Sequence, residues 1–215
     1  MKTSVLVIGL GRFGTAAAQE LMRLGHEVLA IDSSEAIVND IAPEVTHAVQ
    51  LDAADEAALR AVGAGDFDHA IVAISSGVEA SIYATMALKK LGVGNVIAKA
   101  GTTLHGAILE RVGADRVVYP EREMGQRVAH SFSAGNVIDY LDVGPRFGIM
   151  KVRPPASFIG RSIKDLDLTT RLRLAPIALR RGDDVTVNPH RDDVIREGDE
   201  LILIGRDDKL EQLGE

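Results

Sequence analysis

Apolar residues along this chain fall into two textures. Over the first half they form short runs separated by stretches at helical spacing. Val5 to Ile8, Val28 to Ile31, Thr46 to Leu51, His69 to Ile74, Asn95 to Lys99 and Asp115 to Tyr119 read as strands. The most apolar runs do not alternate with polar residues, the pattern of parallel strands covered on both faces. Between them the spacing predicts helices over about Arg12 to Leu24, from a cap at Ser33 or Ser34 to Ala42, Asp55 to Val62, Val78 to Leu91 and Thr103 to Val112. Gly25, Pro43 and Gly63 stop the first three. Strands alternating with helices predict an α/β chain with a Rossmann-like, doubly wound, parallel six-stranded sheet.

Pro120-Glu121-Arg122-Glu123 opens a further helix, since proline and acids both suit a first turn. On it Met124, Val128 and Phe132 share one face. That face either packs on its own domain or, because the crossover helices already serve the six strands, meets a second subunit. From about Val137 the texture changes. Asp142-Val-Gly144-Pro145-Arg146 reads as a linker-like break. Short elements follow: a strand Gly148 to Val152, a turn at Pro154-Pro155, a short helix near Ser162 and a strand Ala175 to Arg180. A hairpin turn at Arg181-Gly182-Asp183-Asp184 leads into Val185 to Val187, then come a strand Glu200 to Ile204 and a closing helix Asp207 to Leu213. The expected organisation is a nucleotide-binding domain over residues 1–136 and a small α+β C-terminal domain over residues 137–215.

Chemistry concentrates where the first strand meets the first helix, Gly9-Leu-Gly11-Arg12-Phe-Gly14. Gly9 suits the tight turn, Gly11 a close approach of backbone to phosphate, and Gly14 close packing of helix on strand. The helix start offers free N–H groups and a positive dipole end to an anion. Asp32 ends the second strand about twenty residues later, where a carboxylate accepts from a ribose diol. A turn of this kind alone is weak, but strand, glycines, helix and acid coincide. They define a site for an adenosine-containing nucleotide. Asp52, Ser75, Lys99 and Glu121 also follow strand ends, which topology places on the same rim. Asp52 equally fits a helix cap, Ser75 an ordinary loop serine, and Lys99 a solvated edge charge.

Bulk properties narrow the function. The 215 residues carry a net charge of −7, against a general nucleic-acid surface. The absence of cysteine excludes disulfides, thiolate zinc sites and cysteine nucleophiles. Met1-Lys2-Thr3 leads straight into a core strand with no signal-peptide pattern, so an intracellular chain is expected, joined to any membrane through a partner. The six histidines are scattered without metal-ligand spacing, and no nucleophile elbow, Walker lysine loop or His-Glu-x-x-His occurs. With no acid/base group beside a hydride-transfer site, the nucleotide is expected to act as a signal and the protein not to be an enzyme. The alternative is a small NAD-dependent oxidoreductase whose active site is shared across a dimer interface.

Val-Ile-Gly9-Leu-Gly11-Arg12-Phe13-Gly14, Gly25-His26-Glu27-Val28-Leu29-Ala-Ile-Asp32, Gly113-Ala-Asp115-Arg116, Pro120 to Gly125, Asn136-Val137 and Ile195-Arg196-Glu197-Gly198-Asp199 together resemble the KtrA/TrkA-type regulators of potassium transport, which carry the RCK domain. The resemblance covers the whole chain. It implies a cytosolic subunit forming a ring, typically eight copies built from dimers, under a membrane potassium-translocating protein of the KtrB/TrkH type. It implies ATP or ADP, and in some members NAD or NADH, as ligands whose exchange gates transport.

By position the resemblance assigns Gly9, Gly11, Arg12, Phe13 and Gly14 to the phosphate loop and Asp32 to the ribose. Ser33, Asp52, Ala53, Ile74 and Ser75 would line the adenosine, with Lys99 near the phosphates. Arg12 would reach the γ-phosphate that ADP lacks. Glu121 would help hold Mg²⁺, Ca²⁺ or Na⁺ at a dimer interface beside the nucleotide. In some relatives the small domain binds cyclic di-AMP through a basic residue after an Asp-Leu segment. Here Thr169 stands at that position, with Arg171 and Arg173 displaced, and those arginines and Arg180-Arg181 equally fit solvated charges.

Overall fold

The computed structural model describes residues 3–74, 77–133 and 136–213. The chain divides into two compact units, Met1–Glu121 and Arg122–Glu215.

In the first unit strands and helices alternate: β1 (Ser4–Ile8), α1 (Arg12–Arg23), β2 (Glu27–Asp32), α2 (Glu35–Ile41), β3 (His47–Gln50), α3 (Glu56–Ala61), β4 (His69–Val72), α4 (Val78–Leu91), β5 (Asn95–Lys99), α5 (Thr103–Arg111) and β6 (Arg116–Val118). All six strands pair in parallel in the order β3-β2-β1-β4-β5-β6. This is the doubly wound sheet that the apolar runs predict. The order reverses direction between β1 and β4, which opens a crevice past their carboxyl ends. Leu6 and Ile8 of β1 pack with Leu29, Ile31, Val72 and Val96 into one layer, closed by Ala84 and Leu88 of α4. Val5 and Val7 face the other way, onto Ala18 of α1 and Val38 and Ile41 of α2. Residues buried on both faces explain the unbroken apolar runs.

α6 (Pro120–Ser133) begins in the first unit and continues into the second. Met124, Val128 and Phe132 are all exposed in the single chain, Phe132 at 83%.

The second unit holds β7 (Val137–Gly144), β8 (Phe147–Val152), α7 (Ile163–Leu166), α8 (Leu168–Arg171), β9 (Ala175–Arg181), β10 (Asp184–Val187), β11 (Glu200–Arg206) and α9 (Asp207–Glu211). Its antiparallel sheet runs β10-β9-β11-β8-β7. Met150, Val152, Leu179, Leu201 and Leu203 form its core with Ile163, Leu166, Leu168 and Leu210 of the short helices. Ser162 caps α7 by accepting from the Asp165 N–H at 3.1 Å.

One expectation is corrected. Asp142 to Arg146 is no linker: Val137–Gly144 is a strand paired with β8, and Arg146, at φ +63, turns the hairpin. The physical reason is one-sided cover. Tyr140 is buried while Leu141, Asp142 and Val143 are exposed, and aspartates at 139 and 142 interrupt the apolar residues, so the strand shows no unbroken apolar run. Tyr140 donates its hydroxyl to Asp207 Oδ1 at 2.8 Å and stacks on His130, ring centroids 4.0 Å apart. Arg127 grips Asp139 through Nε and Nη2, so the later turns of α6 are bonded to β7.

Candidate nucleotide site

The turn after β1 is built around three glycines with different reasons for lacking a side chain. Gly9 sits at φ +87, and a Cβ there would stand 2.8 Å from the Ile74 backbone nitrogen. At Gly14 a Cβ would stand 1.9 Å from the Gly9 carbonyl oxygen. These two serve the fold. Gly11 has ordinary φ of −69° and nothing within 4 Å of its Cβ position, so the space over it is open.

α1 starts at Arg12 with no side-chain cap and no acid in its first turn. By contrast α3 is capped by Asp55 and α5 by Thr102. An uncapped first turn presents N–H donors and the positive end of the helix dipole to an anion. Asp32, ending β2, ties the turn in place: Oδ2 accepts the Leu10 N–H at 2.7 Å and Oδ1 the Ser34 N–H at 2.9 Å. The Ser34 side chain makes no capping hydrogen bond to α2. Asp52 Oδ1 accepts the Ala54 N–H at 2.9 Å and Asp55 caps α3, so Asp52 closes the turn ahead of that helix. The two Asp32 bonds leave lone pairs for a diol, since a carboxylate has about four acceptor sites.

Together these elements wall a cleft of about 410 Å³, the size of a small-molecule site. Its walls include Gly9, Gly11, Asp32, Ser33, Asp52, Ala53 and Ile74. Leu51, Ile37, Ser34 and Ala80 also line it and were not expected from the sequence. Ile37 carried a faint signal, an isoleucine off the buried Val38–Ile41 stripe of α2 and 36% exposed. Ala80 carried none.

Other expected residues lie elsewhere. Gly14 is buried under the turn, and Arg12 is exposed at the first position of α1. Phe13 and Lys99 form a second group, the Lys99 ammonium 5.9 Å from the Phe13 ring centroid. Lys99 is 6% exposed, so it is no solvated edge charge. Its Nζ meets Glu121 Oε1 at 2.5 Å. That hydrogen bond holds the Glu121 carboxyl below the usual glutamate range. Ser75 lies outside the described residues.

Among the described residues no group of three or more His, Asp or Glu side chains is arranged to hold a metal ion. A cation at Glu121 would need oxygen ligands beyond that one carboxylate. In the second unit Thr169 lies in α8, and Thr169, Arg171 and Arg173 are exposed; no basic residue occupies the Thr169 position.

A parallel sheet with strand order 3-2-1-4-5-6 and a cleft at its switch point defines a nucleotide-binding class of domain. Residues 5–120 match the TrkA-N domain and residues 148–215 the TrkA-C domain. The chain is 40% identical over 205 residues to the Ktr system potassium uptake protein C of Bacillus subtilis, covering 95% of this chain and 93% of that protein. It is 39% identical over 199 residues to the Ktr system potassium uptake protein A of the same organism, covering 93% and 90%. The chain belongs to this TrkA/KtrA family of RCK-domain proteins.

Among solved structures, a GsuK channel bound to NAD superposes with a TM-score of 0.70 at 18% identity, covering all of this chain and 40% of that one. The GsuK RCK domain superposes with a TM-score of 0.69, covering all of this chain and 48% of its own. The chain thus spans under half the length of these solved chains, and the likeness is one of fold.

Proposed function

We propose that this protein is a nucleotide-sensing regulatory subunit of a potassium uptake system. ATP or ADP, with NAD or NADH as further ligands, occupies the cleft at the β1–α1 turn. The bound nucleotide sets the shape of a homo-oligomeric ring, an octamer of paired dimers. The ring gates a membrane potassium-translocating partner of the KtrB/TrkH type from the cytoplasmic side. No helix among the described residues is long and apolar enough to cross a membrane, in keeping with a separate partner.

The observation that carries this reading is the open space over Gly11, beside an uncapped helix and Asp32, in a chain related along its length to Ktr proteins. Each group has a task. The first N–H groups of α1 hold a phosphate, Asp32 the ribose diol, and Asp52 with Ala53 the adenine side of the cleft. Arg12, exposed at the helix start, supplies a charge for a third phosphate. Among the described residues lining the cleft there is no His, Lys or Tyr, and its two carboxylates already accept backbone N–H groups. That lining suits binding better than acid/base chemistry.

The test is equilibrium binding of ATP, ADP and NADH, combined with the mass of the assembly in solution. Binding by an oligomer whose shape, read by small-angle scattering, differs between ATP and ADP is expected. A strict monomer indifferent to all three nucleotides overturns the proposal.

A further inference from the structure

Three buried polar side chains lie behind the cleft rather than in it. Ser81 and Thr85 of α4 are 0% exposed, and His105 of α5 is 5% exposed. His105 Nε2 stands 2.7 Å from the Ser81 hydroxyl, and the Thr85 hydroxyl donates to the Ser81 carbonyl at 2.8 Å. Two polar groups in an apolar layer satisfy each other here, and either one alone would be costly. What the pair holds follows from the place of Ser81. Its N–H bonds the Gly77 carbonyl at 3.0 Å and so closes the first turn of α4. Gly77 and Ala80 of that turn line the cleft. Gly77 is also the N-cap and has no side chain to hold the turn, whereas Thr102 caps α5 by accepting the His105 N–H at 3.1 Å. The α4 wall of the cleft is therefore tied from behind, through Ser81, to a ring on a capped helix.

Resting on the nucleotide reading above, we propose that His105 is a positioning residue for the nucleotide: neutral, it holds the α4 wall through Ser81, and protonated, it lets that wall go. An imidazolium this deeply buried needs an anion or water. α5 packs chiefly on α4 and β6, and neither brings an anion to the ring. From α4 come the Ser81 and Thr85 hydroxyls, while Lys89, in its last turn, meets Asp115 at the far end of the helix. From the end of β6 comes Tyr119, whose hydroxyl lies against Gly106 and is neutral below about pH 10. Glu121, on the same rim, pairs with Lys99. Burial is the cause that lowers the His105 pKa, with no charge contributing. The ring gains a proton only by turning toward water, and that turn costs the Ser81 bond. Affinity that depends on the bond is present at neutral pH and is lost as pH falls below the ordinary histidine value, about 6.5.

The experiment titrates ADP into the full chain at pH 7.5 and pH 5.5, for the parent and three variants. Ionisation of the nucleotide is common to all of them, so the ratio of variant to parent affinity isolates the protein. His105→Leu and Ser81→Ala break the bond and should weaken ADP binding by about two- to tenfold at pH 7.5, the worth of one hydrogen bond. His105→Gln keeps an uncharged hydrogen-bonding side chain and should stay nearest the parent at pH 7.5. Its affinity relative to the parent should rise by about two- to fivefold between pH 7.5 and pH 5.5. A role in packing alone gives one ratio at both pH values, and that result overturns the proposal while the nucleotide site stands. Undiminished binding at pH 7.5 by Ser81→Ala overturns it too, and this variant, which removes a single oxygen, stays readable should His105→Leu not fold. If the parent binds no nucleotide at either pH, the underlying reading fails as well.

Discussion

Asp32 Oδ2 accepts the backbone N–H of Leu10 at 2.7 Å, so the carboxylate ending one strand clamps the glycine turn that ends its neighbour. The same carboxylate holds the Ser34 N–H with its other oxygen. One side chain therefore sets the shape of the glycine turn and lines the cleft. Asp32→Ala leaves both N–H groups without their acceptor and removes the acceptor proposed for the diol. Affinity for ATP, ADP and NADH should all fall by about tenfold or more, the worth of one or two charge-assisted hydrogen bonds. Titration calorimetry with each nucleotide checks this, and an unchanged affinity for any one removes Asp32 from the ribose.

Arg12 is exposed at the first position of α1, where a planar guanidinium can meet an added phosphate. Arg12→Ala should lower the preference for ATP over ADP by about tenfold, the scale of one lost charge-assisted contact. Competition binding of the two nucleotides measures the ratio. Equal losses for both refute a third-phosphate sensor.

Gly11 and Gly14 separate ligand from fold. A methyl at Gly14 meets the Gly9 carbonyl, and Gly14→Ala should destabilise the chain by about 3 kcal/mol or prevent folding. Gly11→Ala meets nothing within 4 Å in the chain. Its thermal stability should stay within about 0.5 kcal/mol of the parent, while nucleotide affinity falls. Paired melting and binding curves decide it; normal nucleotide binding by Gly11→Ala would mean no phosphate approaches that turn.

His105, 5% exposed, meets the Ser81 hydroxyl at 2.7 Å through Nε2, and burial lowers its pKa from the ordinary 6.5. The unfolded chain then binds the extra proton more readily than the folded one. Stability from this site is present above about pH 6.5 and is lost as pH falls below it. Melting temperatures at pH 7.5 and 5.5 should therefore differ more for the parent than for His105→Gln. Identical shifts would show that His105 stays unprotonated in both states or titrates alike in both.

Legibility followed burial. The parallel strands of the first unit are covered on both faces, so they stand out as apolar runs. β7 is covered on one face, and Asp142, Gly144 and Pro145 made its end resemble a break. The short α8 also gave no separate signal beyond the helix start at Ser162. In the site, glycines and strand-end acids were legible because each marks a local backbone need. Ile37, Leu51 and Ala80 were not, since they differ from core residues only in facing a cleft.

The chain order of residues was enough to determine local conformations. Positive φ at Gly9 and Gly25, an uncapped helix start at Gly11 and acids after strands are properties of a few neighbouring residues. Partnership was decided only in three dimensions. Asp32 meets Leu10 and Lys99 meets Glu121, each across 22 residues, because β1 lies between β2 and β4 and β5 beside β6. Strand order depends on which buried faces pack together, a balance summed over the whole core. No single stretch of sequence contains it.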